Sequence, residues 1–167
     1  MGRTTINEVF TKEDWKKYNE YADAVKRDLS VSGLSKEKQK EIFNTLAYNE
    51  QMRIAANRIV AERNAITDKR NALIIKYRSE PNDAIAQKLS KEIEKWGVKH
   101  DALGKEKEYF LQKFHETSAR AVVLDRELND ALIKKGYKID ARGRLRKSEG
   151  CRQSPTVKTR TRVTKSM

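Results

Sequence analysis

The longest regular pattern in this sequence is an apolar heptad repeat in its C-terminal half. One set of positions, spaced by seven residues, is Leu89, Trp96, Leu103, Phe110, Thr117, Leu124 and Ala131. The interleaved set is Ile93, His100, Lys107, Phe114, Ala121 and Leu128. A period of about 3.5 residues, sustained over this length, is typical of a helix that supercoils with a partner helix. We therefore predict a long helix over residues 83–135, with Gly136 as its C-terminal stop.

A second long helix is predicted over residues 35–79, because no Gly or Pro occurs from residue 34 to residue 80. Pro81 ends this helix, since proline disfavours helical geometry in the residue before it. The short Glu80–Asp83 connection then makes the two long helices antiparallel neighbours. The sequence therefore predicts an all-α fold, an elongated antiparallel coiled-coil hairpin.

Aligning the two helices outward from their connection brings apolar layers opposite apolar layers. The aligned pairs are Leu73 with Leu89, Ile66 with Trp96, Ile59 with Leu103 and Met52 with Phe110. The same alignment sets Arg63 near His100, in a polar layer that needs a nearby acid or water. Gly97 and Gly104 lie seven residues apart on one face, where they either admit a close neighbour or mark a kink.

The N-terminal part of the chain is predicted to form one short helix behind a leader. Residues 1–10, with Gly2 and a Thr pair, are typical of a flexible leader. Thr11 has the side chain of an N-cap and Asp14 that of a capping box, so a helix over residues 11–30 is expected. The following turn at Ser30–Leu34 leaves a helix-turn-helix arrangement open as an alternative.

Charge is concentrated at the C-terminal end of the chain. The sequence has 37 Lys and Arg against 24 Asp and Glu, which gives a net charge of +13. Residues 1–133 carry 25 basic and 22 acidic side chains, whereas residues 134–167 carry 12 and 2. Such blocks usually serve as interaction tails. We interpret residues 137–167 as a basic, mostly flexible arm, in which residues 137–146 are compatible with a small β-hairpin.

Nucleic acid is the partner that this arm favours, because Lys and Arg neutralise phosphates and release counterions. The candidate contact residues are Lys134, Lys135, Lys138, Arg142, Arg144, Arg146, Lys147, Arg152, Lys158, Arg160, Arg162 and Lys165. DNA is the expected partner, and an acidic protein surface or a purely solubilising tail is the alternative. The sequence carries no zinc finger or RNA-recognition motif that would add sequence-specific contacts.

A contact with another protein chain is expected on the hairpin. A thin two-helix seam buries little surface, and the first predicted helix is too short to cover it all. Apolar surface that stays exposed often marks an interface. The candidate partner-interface residues are Trp96, Leu103, Phe110, Phe114 and Val122. We expect self-association into a homo-oligomer, or docking on a larger protein assembly.

The sequence contains no Gly-rich phosphate loop, paired-His zinc motif or nucleophile elbow. His100 and His115 lie about 22 Å apart along one predicted helix, so they cannot share a metal ion within one chain. Cys151 lacks an activating neighbour. We therefore expect a non-enzymatic protein without cofactor or metal. The apolar runs are too short to span a bilayer, so we expect a cytoplasmic location and no membrane contact.

The plan of the chain resembles the small terminase subunits of tailed phages, the DNA-recognition components of packaging motors. The matching stretches are Met1-Gly2-Arg3, Leu34-Ser35-Lys36-Glu37, Leu46-Ala47-Tyr48, Ala55-Ala56 and Glu80-Pro81 before Ala84-Ile85. The resemblance covers residues 1–96 and implies a helical N-terminal segment, a long hairpin and rings that bind viral DNA in a bacterial or phage-infected host cell. The alternative is a phage structural or inhibitory adaptor that acts through protein contacts of its hairpin.

Overall fold

Helices dominate the structure, a computed structural model that describes residues 2–139 and 145–147. The elements are α1 (Ile6–Val9), α2 (Lys12–Ser30), α3 (Lys36–Ser79), α4 (Asp83–Lys134), β1 (Tyr137–Ile139) and β2 (Leu145–Lys147). Over the described residues, the fold is therefore the predicted all-α hairpin with one added pair of short strands.

The two long helices begin where local side chains cap them. The hydroxyl of Ser35 accepts a hydrogen bond from the backbone N–H of Lys38 (3.2 Å) at the start of α3. The side-chain oxygen of Asn82 accepts one from the backbone N–H of Ile85 (3.1 Å) at the start of α4. Because so short a connection separates them, α3 and α4 lie antiparallel and pack against each other along the hairpin.

Hydrogen bonds across the hairpin fix how α3 and α4 are aligned. Arg63 Nε donates to the backbone carbonyl of His100 (3.2 Å). Asn49 Nδ2 donates to the carbonyl of Phe114 (3.0 Å) and to the hydroxyl of Thr117 (2.7 Å). The contact between Arg63 and His100 confirms the alignment that the heptad repeat predicts.

Each of the two glycines within α4 lies beneath an arginine of α3. A Cβ atom on Gly104 would come within 3.0 Å of the Arg63 guanidinium. A Cβ atom on Gly97 would come within 3.2 Å of the guanidinium of Arg70. Arg70 Nε also donates to the backbone carbonyl of Ile93 (3.2 Å). The glycines therefore admit a close neighbour, and that neighbour is a side chain of the opposite helix.

The first ten residues differ from the flexible leader that the sequence suggests. Residues Ile6–Val9 form α1. Val9 and Phe10 are 3% and 8% exposed and share a core cluster with Phe110 of α4. The ring of Phe10 also meets Trp15 edge-on, with 4.8 Å between the ring centroids. The leader is thus corrected to a packed segment, because its few apolar side chains pack against the core cluster around Phe110.

Helix α2 runs antiparallel along α3 at the open end of the hairpin, opposite the α3–α4 connection; we call this end the base. Thr11 caps α2 as predicted, accepting a hydrogen bond from the backbone N–H of Asp14 (3.2 Å). Contacts that advance along α2 recede along α3, from Asp14 with Arg58 to Tyr18 with Gln51, and Leu29 then shares a core cluster with Ile42. This antiparallel course differs from the helix pair at 90–120° that is typical of a helix-turn-helix.

Among the described residues, burial is confined to the part of the hairpin between the base and the layer of Ile66 and Leu103. One cluster joins α1, α3 and α4 around Phe110, and a second joins α2, α3 and α4 around Leu128. Beyond Ile66 on α3 and before Leu103 on α4, none of the side chains is buried. Residues 67–102 therefore form a two-helix segment, the distal segment, that neither α1 nor α2 covers.

The two strands attach to the base beyond the end of α4. Gly136 has a φ of 93°, a left-handed conformation that favours glycine and turns the chain out of α4. β1 pairs antiparallel with β2, and Ile139 lies opposite Leu145 in this register. Tyr137 packs against the core cluster around Leu128. The small hairpin expected near residues 137–146 is therefore present, and its second strand reaches residue 147.

Replacing Gly104 by Ala tests the arginine–glycine layers. Ala normally stabilises a helix by about 1 kcal/mol relative to Gly. The added methyl group meets the Arg63 guanidinium, so we expect this gain to be absent in the wild-type background. In an Arg63→Ala background, the same Gly104→Ala change should stabilise the protein by about 1 kcal/mol. Urea unfolding of the four chains measures this coupling, and a full gain in the wild-type background would contradict the layer.

Candidate interaction surfaces

Three of the five predicted partner-interface residues are buried inside this chain. Leu103, Phe110 and Phe114 are 8%, 0% and 7% exposed. All three belong to the core cluster that includes Val9 and Phe10 of the N-terminal segment. The prediction that they face another chain is therefore corrected, because α1 and α3 enclose the flank that the heptad pattern leaves uncovered.

The other two predicted interface residues occupy different surroundings. Trp96 is half-buried at the seam, and the ammonium groups of Lys69 and Lys99 lie 4.4 and 5.3 Å from its ring centroid. A cation over an indole face is held by the ring quadrupole, so Trp96 contributes to packing within the chain. Val122 is 55% exposed and its neighbour Val123 is 46% exposed. Of the predicted set, Val122 is thus the residue that a partner can reach freely.

Arg3 fastens the N-terminal segment to both long helices. Its Nη2 lies 2.5 Å from a carboxylate oxygen of Glu62 on α3 and 2.8 Å from one of Glu106 on α4. The backbone N–H of Arg3 donates to the second oxygen of Glu106 (3.0 Å). The hydrogen bond to Glu62, followed by that to Glu106, raises the pKa of Arg3 despite its partial burial. Sequence reasoning missed this contact, since Arg3 lies outside every periodic pattern.

A second ion pair holds α2 on α3. Asp14 is 4% exposed, and its two oxygens accept hydrogen bonds from Arg58 Nη2 (3.0 Å) and Nε (2.9 Å). Burial on its own would raise the pKa of Asp14. The hydrogen bonds from Arg58 and from the backbone N–H of Thr11 outweigh burial and hold that pKa below its ordinary value. One carboxylate therefore both begins α2 and joins it to α3.

A second buried carboxylate, Glu50 of α3, is 5% exposed. It accepts hydrogen bonds from Arg53 Nη2 (2.6 Å) and Nε (2.9 Å). Burial raises the pKa of Glu50, and the hydrogen bonds from Arg53 only partly oppose it. Burial also raises the pKa of Tyr18, which hydrogen-bonds to Gln51. Both shifts follow from the cover that α2 gives to this part of α3.

The predicted nucleic-acid-binding residues begin at the base. Lys134 ends α4, Lys135 is its C-cap and Lys138 lies in β1; all three are exposed. The Lys135 side chain lies over the turn between α2 and α3, where a Cβ atom on Gly33 would come within 2.5 Å of its Cε. Gly33 also has a φ of 78°, which favours glycine. The absence of a side chain at Gly33 therefore leaves room for the Lys135 side chain at the point where the described body ends.

Most of the arm lies outside the described residues. Arg146 and Lys147 are in β2, paired in register with Lys138 and Tyr137. The predicted contact residues outside the described part, together with Cys151, are Arg142, Arg144, Arg152, Lys158, Arg160, Arg162 and Lys165. The prediction that the arm is mostly flexible concerns this same part of the chain, so it also lies outside the described residues.

The described residues contain no group of three or more His, Cys, Asp or Glu side chains that could hold a metal ion. His100 is half-buried beside Arg63, and His115 is exposed.

None of the helices in the described part is long and apolar enough to cross a membrane. Comparisons of this chain with protein-family models, curated proteins and solved structures find no match.

The ion pair between Asp14 and Arg58 predicts a pH-dependent stability. Since the fold holds the pKa of Asp14 below its ordinary value, the pair stabilises the protein above that value. This contribution is lost as the pH falls through the folded-state pKa. We expect Asp14→Asn to lower the free energy of unfolding by about 1–2 kcal/mol at about pH 7, and by less at about pH 3, which lies below the ordinary pKa of Asp. Urea unfolding at the two pH values measures the difference.

Glu13→Gln is the matched control, because Glu13 is an exposed carboxylate in the same first turn of α2. This change should alter stability by less than about 0.5 kcal/mol at either pH. A penalty of Asp14→Asn that stays constant as the pH is lowered would exclude the ion pair as its source.

Proposed function

We propose that this chain is a non-enzymatic nucleic-acid-binding protein that assembles with further copies of itself and binds DNA through its basic C-terminal arm. The observation that carries the proposal is the charge distribution: 12 basic and 2 acidic side chains in residues 134–167, and 25 and 22 in the rest. Clustered cations neutralise DNA phosphates and release condensed counterions, which gives affinity that does not depend on base sequence.

The cations at the root of the arm support this proposal. Lys134, Lys135 and Lys138 are exposed, and none of them has a carboxylate within 4.0 Å among the described residues. Lys38, at the same end of the molecule, differs in that it binds Glu127 (3.1 Å). Unpaired ammonium groups keep their capacity for phosphate, whereas Lys38 would have to leave a carboxylate first.

The resemblance to small terminase subunits supplies a biological process for such a protein. That process is the recognition of viral DNA during packaging, in the cytoplasm of a phage-infected bacterium. The long antiparallel hairpin with helices at its N-terminal side is the architecture that the resemblance implies. This agreement supports the assignment, and the charged arm carries the DNA-binding part of it.

A second candidate function is that of an adaptor that acts through protein contacts of the hairpin. The observation in its favour is the distal segment, residues 67–102, where no described side chain is buried. Ile75 and Val98 in this segment are 68% and 66% exposed. An adaptor of this kind would keep its partner after the arm loses its charge, whereas the DNA-binding protein would lose its ligand.

Neutralising part of the arm tests DNA binding. We expect the quadruple change of Lys158, Arg160, Arg162 and Lys165 to Gln to weaken binding to duplex DNA at low salt. The slope of log affinity against log salt concentration should also become shallower by up to about 3.6, because each phosphate contact contributes about 0.9. Fluorescence anisotropy with a labelled duplex, titrated at several salt concentrations, measures both quantities.

The matched control removes four cations from the other end of the molecule. Lys76, Arg78, Lys88 and Lys91 are exposed in the distal segment, and changing all four to Gln alters the net charge equally. We expect this control to keep the wild-type salt slope. Equal losses in the two variants would assign binding to net charge rather than to the arm. Absence of wild-type binding at low salt would exclude the DNA-binding proposal.

A further inference from the structure

The outer face of α4, turned away from α3, is uncovered over the last turns of the helix. A stripe along this face consists of Gln112, His115, Glu116, Ala119, Val122, Val123, Arg126, Asp130 and Ile133, all of them exposed. At 3.6 residues per turn, these positions lie within about a third of the helix circumference. Val122, Val123 and Ile133 are 55%, 46% and 55% exposed. None of the stripe residues belongs to either core cluster.

The charged residues of this stripe are largely without partners among residues 2–139 and 145–147. Glu116 accepts a hydrogen bond from Gln112 one turn earlier on the same helix (3.1 Å). Neither Arg126 nor Asp130 forms a hydrogen bond or ion pair with another residue of the described part. The stripe therefore presents an apolar centre, Val122 and Val123, between charges that are available to another molecule.

An antiparallel arrangement of two such stripes brings Glu116 of one near Arg126 of the other, on both sides of the central valines. An antiparallel second copy, centred between Val122 and Val123, sets Ala119 level with Arg126, His115 with Asp130 and Gln112 with Ile133. Glu116 then lies about 4.5 Å along the axis from Arg126 of the second copy, within reach of an arginine side chain. A two-fold axis makes each contact twice. A parallel pair would instead place Glu116 against Glu116 and Arg126 against Arg126.

We propose that this stripe is a two-fold interface with a second copy of this chain, with Val122 and Val123 at the axis and Glu116 paired with Arg126 across it. The proposal rests on the assembly part of the proposed function and names the surface that mediates it. The apolar centre removes four valines per dimer from water, and the flanking charges select the antiparallel orientation over the parallel one. A single stripe about 32 Å long is small for an interface, so the dimer dissociates in the micromolar range.

This arrangement also sets the distance between the two arms. Lys134 lies about 17 Å along α4 from the two-fold axis, so the two arms begin about 35 Å apart on opposite sides of it. One turn of B-form DNA is about 34–36 Å long. Two arms at this spacing can meet one duplex a full turn apart, which adds avidity to the sequence-independent affinity of each arm.

A pair of matched valines tests the interface. Val122 and Val98 are both exposed on α4, 55% and 66%, and only Val122 lies at the proposed axis. We expect Val122→Glu to raise the dimer dissociation constant at least about tenfold, because it places two carboxylates together at the axis. Val98→Glu should change the constant by less than about twofold. Sedimentation velocity over a micromolar concentration series measures both, and circular dichroism verifies that each variant is folded.

A charge exchange tests the orientation. Glu116→Arg should weaken the dimer, because it sets two arginines of opposite copies against each other. Adding Arg126→Glu to that variant restores opposite charges across the axis, and we expect the double variant to recover most of the wild-type association. If the double variant associates no better than Glu116→Arg alone, the antiparallel pairing is wrong.

The outcomes separate this interface from the proposed function. A wild-type chain that is monomeric at several hundred micromolar overturns both the interface and the assembly, while DNA binding by the arm is measured independently. A wild-type chain that associates but tolerates Val122→Glu overturns only this interface. If the interface is correct, Val122→Glu also lowers the apparent affinity for duplex DNA, because two arms no longer bind one duplex together. The affinity of a single arm for DNA stays unchanged.

Discussion

The antiparallel seam between α3 and α4 is the contact on which the rest of this structure depends. A short connection fixes the direction of the two helices, and the heptad spacing fixes their alignment. Arg63 and Arg70 then place guanidinium groups over two glycines and donate to backbone carbonyls of the opposite helix. Such charged hydrogen bonds contribute about 1.5–3 kcal/mol each. Polar layers of this kind favour one register, because a shifted alignment would set a residue with a Cβ atom where a guanidinium group now lies over a glycine.

A two-helix seam this narrow leaves apolar side chains exposed along its flanks. Ion pairs with the N-terminal residues determine which of these flanks is covered. Arg3 binds a carboxylate on each of the two long helices, and Asp14 binds Arg58. Because each pair joins an N-terminal residue to the hairpin, together they hold α1 and α2 over the core cluster around Phe110. The distal segment and the outer face of α4 have no such fastening, so their apolar side chains remain in water.

The hairpin and its alignment could be predicted because burial along a helix repeats with a period that the sequence displays. The packing of the N-terminal segment could not be predicted in this way. The contact between Arg3 and Glu106 joins residues 103 positions apart, and no repeating pattern in the sequence indicates it. The heptad pattern marks Phe110 as a seam residue without indicating which neighbour closes its other side. The adjacent apolar pair Val9 and Phe10 was the available signal, and a supposed leader with two large apolar residues already argues for packing.

The difference in charge between the helical body and the C-terminal arm connects the fold to the proposed function. The body is nearly balanced in charge, so it can form helix–helix contacts without strong self-repulsion, whereas residues 134–167 of the sequence carry most of the excess cations. The side chain of Lys135, the C-cap of α4, lies over Gly33 in the turn between α2 and α3. An antiparallel pairing of α4 would therefore fix the spacing of two arms through rigid helix rather than through flexible chain. Spacing set by a helix of known rise is what allows two sequence-independent contacts to act together on one duplex.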